Sequence, residues 1–222
     1  MPLLTSNTKI DKSVIWAQKQ GLEYEATILQ MLPGRGVCKN YKYCIKECLA
    51  FTGFAKIFPT VNKARQKRKD LFTKDLPSFM KTLEKELNNL CKRARKKGKT
   101  PVCRLNGFTD INWEDPDYYI RGDCIFNVYQ EVQFYDYSAD YDKTLLSCYD
   151  NYHLTFSYKK DPHGIGSNVM ECRNLFSKGI NIAVVDTLEN RKVFNGQSIQ
   201  GDKHDFRFLD KKGSIVWLTF KK

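Results

Sequence analysis

Long hydrophobic runs are missing from this chain of 222 residues. No apolar stretch approaches the roughly 20 residues that a helix needs to cross a bilayer. The opening segment, MPLLTSNTKIDKS, has no basic region followed by an apolar stretch, which is the pattern of a secretory signal. We therefore expect a cytoplasmic protein with no membrane partner, whose eight cysteines are reduced rather than paired in disulfides.

Histidine is also scarce, with three residues in the whole chain. The sequence contains no HExxH pattern, no Ser–His–Asp arrangement, no P-loop and no GxGxxG fingerprint. These absences leave the cysteines as the residues with the most specific chemistry.

Acidic residues are outnumbered, since 25 Asp and Glu stand against 37 Lys and Arg and the net charge is +12. Two segments hold much of the excess, KARQKRK at 63–69 and KRARKKGK at 92–99. Such clusters usually coat a solvated helix face, but they are also typical of contacts with nucleic-acid phosphates. A nucleic acid or nucleotide is therefore a candidate partner, with candidate contacts at Arg93, Arg95, Lys96 and Lys97.

Three cysteines are concentrated in the segment GVCKNYKYCIKECLAFTG, at Cys38, Cys44 and Cys48. Thiolates are soft ligands that select zinc, copper(I) or iron–sulfur clusters. The alternative is three free thiols buried as small apolar groups, but the neighbouring residues are mostly polar. The pattern predicts a metal or cluster site with these three ligands, and the spacing alone does not say whether it holds zinc or a cluster.

The order of apolar segments predicts an α/β fold in one domain, 1–222. We divide it into lead-in strands over 1–35, a cysteine loop with basic helices over 36–99, and strand–helix units over 100–222. Apolar residues at three- and four-residue steps indicate helix over 60–97, with a start near Asp75 and a stop at Gly98. Further helices are expected within 116–129, 138–149 and 167–178, and strands at 101–105, 132–137, 152–157, 180–185, 204–209 and 214–220.

This alternation favours a complete or partial (β/α) barrel with its chemistry beyond the carboxyl ends of the strands. Polar residues follow those ends. Each alone is equally consistent with a turn, a cap or a core position. Together they predict a catalytic pocket with the cysteine loop at its rim, lined by Asp110, Glu114, Tyr135, Ser157, Asp202 and Asp205.

The chain also resembles a known family. The stretches NTKIDKS, CKNYKYCIKECLAFTG, RLNGFTDINWE, VQFYDYS and GDKHDFRFLDKKGSIVWL are similar, in order and nearly end to end, to the bacteriophage gene product 88 family. In layout that family resembles radical S-adenosylmethionine proteins, which have an early three-cysteine loop before strand–helix units. By this resemblance Cys38, Cys44 and Cys48 would bind a [4Fe–4S] cluster, with S-adenosylmethionine as a further cofactor. The spacing here differs from the usual C-x3-C-x2-C of that superfamily, so the resemblance favours the cluster over S-adenosylmethionine.

Three functions are compatible with these features. The leading hypothesis is an iron–sulfur oxidoreductase or radical enzyme in the host cytoplasm, acting on a nucleotide or a nucleic-acid-related substrate. The alternative is a non-enzymatic basic protein that binds nucleic acid or a host component and contains a structural zinc. The third is a metal-free barrel hydrolase that uses paired carboxylates such as Asp202 and Asp205.

Overall fold

Eight strands form one sheet in this protein, whose structure is a computed structural model that describes residues 1–39, 41, 48–51, 59–160 and 166–219. The strand order is β1-β2-β3-β4-β5-β6-β8-β7. β1 is antiparallel to β2, and every other neighbouring pair is parallel. The strands are β1 Leu4–Thr5, β2 Tyr24–Leu29, β3 Thr100–Arg104, β4 Gln133–Ser138, β5 Tyr152–Ser157, β6 Ile182–Val185, β7 Ser198–Gln200 and β8 Ile215–Leu218.

The predicted α/β class is confirmed, and of the two barrel forms only the partial one is compatible with the structure. Within the described residues the sheet is open, because β1 and β7 are its two edges. In the described part of the chain the α-helices are α1 Thr8–Gln18, α2 Pro59–Lys74, α3 Leu76–Lys96, α4 Ile125–Val128, α5 Tyr141–Leu146, α6 Val169–Ser177 and α7 Leu188–Val193. None of the described helices has the length and apolar character needed to cross a bilayer.

The lead-in over 1–35 was predicted as strands, and that prediction is wrong for Thr8–Gln18, although Leu4–Thr5 and Tyr24–Leu29 are strands. Thr8–Gln18 is a helix that begins at Asn7, whose side chain accepts hydrogen bonds from the backbone N–H groups of Lys9 and Ile10. Ile10 and Ala17 lie on the buried side of this helix, seven residues apart. These two apolar residues therefore belong to one stripe of a short helix.

The helical segment predicted over 60–97 is two helices, α2 and α3. Asp75 separates them and caps α3, because its carboxylate accepts a hydrogen bond from the Ser78 N–H. The helix ends before Gly98, which has a φ of +63° that favours glycine.

The segment 204–209 was predicted as a strand and is instead an irregular stretch that ends in a 3-10 turn, Arg207–Leu209. The fully buried guanidinium of Arg207 donates to the His204 carbonyl and pairs with Asp210 at 3.0 Å, which folds the segment back on itself. Its place in the sheet is taken by β7, a short strand that the sequence did not suggest.

The two faces of the sheet differ in what covers them. On the helical face, defined by its contact with α3, buried apolar side chains such as Leu83, Leu87 and Phe134 form the main core. On the opposite face, the α1 face, Ile10 and Phe206 pack with the remaining strand residues. Because side chains alternate along a strand, β4 directs Phe134 and Asp136 to the helical face and Tyr135 and Tyr137 to the α1 face.

Candidate functional site at the carboxyl edge

Seven parallel strands end along one edge of the sheet, here called the carboxyl edge. In open α/β sheets this edge is where binding sites form. The loop after β3 is held there by Gly107, whose N–H donates to the Leu29 carbonyl at 3.0 Å. A Cβ at this position would meet that carbonyl oxygen at 2.7 Å, so the close approach requires glycine.

The cysteine loop begins at this edge. Cys38 and Asp110 form an isolated parallel β-bridge, and the Asp110 N–H donates to the Val37 carbonyl at 3.0 Å. The Asp110 carboxylate accepts from the Ser138 hydroxyl at 2.8 Å and from the buried Lys143 ammonium at 2.7 Å. The first cysteine is therefore fixed to the ends of β3 and β4 through Asp110.

A second ion pair follows directly in sequence. Lys39 lies 3.0 Å from the carboxylate of Asp140, the residue that caps α5. The attachment of the loop thus extends from β3 to the start of α5.

The two described cysteines of the loop are protonated thiols in the free protein. Burial raises the pKa of Cys38 to about 11, with further contributions from Asp110 and Cys48. Burial also raises the pKa of Cys48, although Lys159 and Arg65 oppose the shift. The charge state of Cys48 therefore contributes to the pKa of Cys38.

This donor set fits a soft cation. A bound metal displaces the thiol proton and supplies the positive charge that buried thiolates require. Among the described residues no group of three His, Cys, Asp or Glu converges on one point. Cys44 lies outside the described residues, so the predicted set of three is represented by Cys38 and Cys48.

A buried polar network lies on the helical face behind Asp110. The Asp136 carboxylate accepts from the Asn106 backbone N–H at 2.6 Å, the Asn106 amide at 3.2 Å and the Tyr152 hydroxyl at 3.1 Å. Burial raises the pKa of Asp136 to about 6, although the charges of Lys143 and Arg104 and the hydrogen bonds from Asn106 and Tyr152 oppose the shift. The network fixes the loop that contains Asp110.

The α1 face has a different polar cluster, centred on Asp205. Its fully buried carboxylate lies 2.7 Å from the Lys9 ammonium and 2.8 Å from the Arg104 guanidinium, and it accepts from the Tyr135 hydroxyl at 3.2 Å. Burial would raise the pKa of Asp205, but Arg104 and Lys9 outweigh it and hold that pKa well below its usual range. Asp205 is therefore ionised and shared between two cations.

A stacked aromatic pair next to this cluster joins α1 to the segment that contains Asp205. Trp16 of α1 stacks on His204 with 3.8 Å between ring centroids. Burial, reinforced by Arg207, lowers the pKa of His204 to about 4, so the imidazole is neutral at pH 7. The segment 204–210 therefore packs against α1 through the neutral imidazole of His204.

The six predicted catalytic residues do not line one cavity. Tyr135 and Asp205 are in direct contact on the α1 face, whereas Asp110 is joined to Cys38 beside the helical face. Ser157 ends β5, and Asp202 is in an exposed turn where it accepts from the Thr219 N–H at 2.7 Å. Glu114 is partly buried in the loop after β3. The strand-end residues lie toward the same carboxyl edge, but Asp110 and Asp205 lie on opposite faces of the sheet.

The predicted nucleic-acid contacts lie at the opposite edge, because the end of α3 precedes β3. Arg93 and Lys97 pair with Glu25 at 3.2 Å and 2.9 Å, and Arg95 pairs with Glu131 at 3.3 Å. Part of the charge in this cluster is therefore balanced locally and lies away from the cysteines.

The 63–69 cluster is partly structural. Arg65 and Arg68 are buried and donate to backbone carbonyls, including that of Pro2 at 2.9 Å from Arg68. Neither guanidinium presents a free surface to a polyanion.

Sequence reasoning missed the cations of the site, Lys9, Arg104 and Lys143. A usable signal existed for one of them, since Arg104 closes the otherwise apolar strand β3. Lys9 and Lys143 lie among many surface lysines in the sequence, and only their contacts with Asp205 and Asp110 distinguish them.

The fold and site define an α/β protein with an open, mainly parallel sheet, thiols at the carboxyl edge and a buried ion cluster on the α1 face. The chain belongs to the Gene product 88 family of phage proteins, whose family model matches residues 1–222. The family name carries no activity. No curated protein and no solved structure matches the chain.

Proposed function

We propose that this phage protein is an iron–sulfur enzyme whose cluster is bound by Cys38, Cys44 and Cys48 at the carboxyl edge. The net charge of +12 makes a nucleotide or a nucleic-acid-related molecule the favoured substrate class. When bound, the cluster would supply the electron-transfer or radical chemistry that ordinary side chains lack.

One observation carries the proposal. The β-bridge between Cys38 and Asp110 holds the first thiol at the edge where parallel sheets bind ligands. The contribution of Cys48 to the raised pKa of Cys38 is compatible with a common site for the two thiols.

The surrounding residues have positioning roles in this proposal. Lys143, whose side chain is 2% exposed, neutralises Asp110 and keeps its carboxylate from repelling the thiolates. Lys159 and Arg65 provide positive charge beside Cys48, which favours its ionised form.

The test is metal content after anaerobic purification and reconstitution with iron and sulfide. We expect a brown protein with charge-transfer absorption, and loss of most iron and sulfide in Cys38→Ser, Cys44→Ser and Cys48→Ser. Addition of S-adenosylmethionine to the reduced protein, followed by electron paramagnetic resonance, tests that cofactor in the same samples.

The matched control is Cys148→Ser, which makes the same atomic change at an exposed cysteine outside the loop. It should retain full iron and sulfide content. A colourless wild-type protein with stoichiometric zinc would replace the enzyme proposal with the structural-zinc alternative, and full cluster retention in Cys44→Ser would reject the ligand assignment.

A further inference from the structure

The hydroxyl of Tyr137 is buried on the α1 face and has no hydrogen-bond partner among the described residues. An unpaired buried hydroxyl costs about 1–3 kcal/mol, so its persistence calls for a missing partner. Arg104 adds a second free donor, because its Nε atom is also buried without a partner while its other nitrogens bond to Asp205 and the Gly107 carbonyl.

The free donors belong to one cluster. The Arg104 guanidinium lies over the Tyr137 ring, 4.8 Å from its centroid. Burial raises the pKa of Tyr137, and Lys9 is the strongest of three cations that oppose this, followed by Arg207 and Arg104. Asp205 acts in the opposite sense, so three cations and one carboxylate influence the hydroxyl.

The charge balance of the cluster is incomplete. Lys9 and Arg104 share the single carboxylate of Asp205, whereas Arg207 has its own partner in Asp210. Among the direct ion pairs, the cations beside the free donors therefore outnumber the carboxylates by one, and Asp136 adds a weaker negative contribution at Arg104. The side chain of Lys9 is 42% exposed and that of Arg104 12%, so solvent access lies beside Lys9.

We propose that Lys9, Arg104 and Tyr137 bind a singly charged oxyanion of a small molecule, with two terminal oxygens that share one negative charge, as in a carboxylate or a phosphodiester. Asp205 orients the two cations through its ion pairs with them. Tyr137 donates its hydroxyl to one oxygen of the ligand, and Lys9 and Arg104 supply charge-assisted hydrogen bonds. One net positive charge favours a monoanion over a phosphate dianion.

This site stands apart from the proposed cluster, because none of its three residues contacts the cysteine loop in the described part of the chain. The probes are [13C]acetate and dimethyl phosphate, followed by NMR line broadening at constant ionic strength and pH 8. We expect saturable binding of at least one probe, and the probe that binds identifies the ligand as a carboxylate or a phosphodiester.

Tyr137→Phe removes only the unpaired hydroxyl. It should weaken probe binding about ten-fold, as expected for the loss of a hydrogen bond to a charged group, and it should raise the urea midpoint of unfolding of the ligand-free protein, because an unpaired buried hydroxyl is removed. The matched control is Tyr141→Phe, which removes an exposed hydroxyl bonded to Asn174 and should bind the probe like wild type.

Three results would overturn the proposal: no saturable binding of either probe, equal affinity in Tyr137→Phe and wild type, or tighter binding of inorganic phosphate than of both probes at pH 8. The cysteine variants should keep probe binding unchanged, and Tyr137→Phe should keep wild-type metal content. Failure of this site is therefore distinguishable from failure of the iron–sulfur proposal.

Discussion

Asp136 and Asp205 are both fully buried, but they lie on opposite faces of the sheet and their pKa values shift in opposite directions. Burial raises the pKa of Asp136 to about 6, whereas Arg104 and Lys9 overcome burial and lower the pKa of Asp205. Asp136 accepts hydrogen bonds from uncharged donors of Asn106 and Tyr152, and Asp205 contacts two cations within 2.8 Å. Burial raises the pKa of both carboxylates, and the net shift is downward only at Asp205, where two cations are in direct contact; at Asp136, Lys143 and Arg104 offset burial only in part.

The difference extends to the faces themselves. The helical face is stabilised mainly by apolar packing of α3, with its polar groups tied into the loop that holds Cys38. On the α1 face, aromatic packing surrounds an ion cluster with free donors. A buried polar cluster with unpaired donors contributes little to stability, and our proposal is that these donors bind a ligand.

The largest effect is expected from Asp205→Ala. This change leaves Lys9 and Arg104 without their shared counterion, so the free energy of unfolding should fall by about 3–5 kcal/mol. Urea denaturation at pH 7 measures the decrease.

Leu87→Ala on the helical face is the comparison for that experiment. Leu87 is fully buried, and its truncation should lower the free energy of unfolding by about 2–5 kcal/mol, because apolar burial is reduced and a cavity forms. In 1 M salt the destabilisation by Leu87→Ala should persist. A negligible effect of Asp205→Ala would show that the cations gain water freely and that the cluster is not buried as described.

The pH dependence of stability should separate the two aspartates. The pKa of Asp136 is about 6 in the folded protein against an ordinary 3.8, so its contribution is complete below pH 4 and is lost as pH rises through about 6. The pKa of Asp205 is lowered, so its contribution is present above its ordinary range and is lost as pH falls below about 4. Urea denaturation between pH 3 and pH 8 gives both windows.

Asp136→Asn isolates the pH range in which Asp136 titrates, because the asparagine amide does not titrate in that range. The difference in unfolding free energy between wild type and Asp136→Asn should change by at most about 3 kcal/mol from pH 4 to pH 7. A constant difference across that range would mean that Asp136 is already ionised in the fold at pH 4.

The smallest effect on stability is expected at the amino edge. Neutralising Arg93, Arg95, Lys96 and Lys97 to Gln should lower the free energy of unfolding by less than about 1 kcal/mol for each exposed pair. If these residues bind phosphates, the same variant should flatten the salt dependence of DNA or RNA binding, by about 0.9 in logarithmic slope for each phosphate that is no longer neutralised. If the wild-type protein does not bind DNA or RNA at low salt, this cluster is a solvated helix end without a role in nucleic-acid binding.

The sequence alone was sufficient for the parts of the fold that depend on local pattern. The strand predicted at 152–157 is β5, the start of α3 at Asp75 follows from its cap, and Gly98 ends that helix. Local pattern misled where elements are short. The helix over 8–18 has a local start signal in the Asn7 cap, whereas tertiary contacts turned 204–209 into an irregular segment around the buried Arg207.

Strand order and parallel pairing placed the start of the cysteine loop at the carboxyl edge, and the strand–helix alternation was enough to predict that placement. The sequence did not reveal which side chains share a face. Tyr135 and Asp136 are adjacent in the chain but point to opposite sides of the sheet, where one meets Asp205 and the other Asn106. The energy of a buried charge depends on partners that are distant in sequence, such as Lys9 and Arg104 for Asp205, and only the tertiary structure brings those partners within reach.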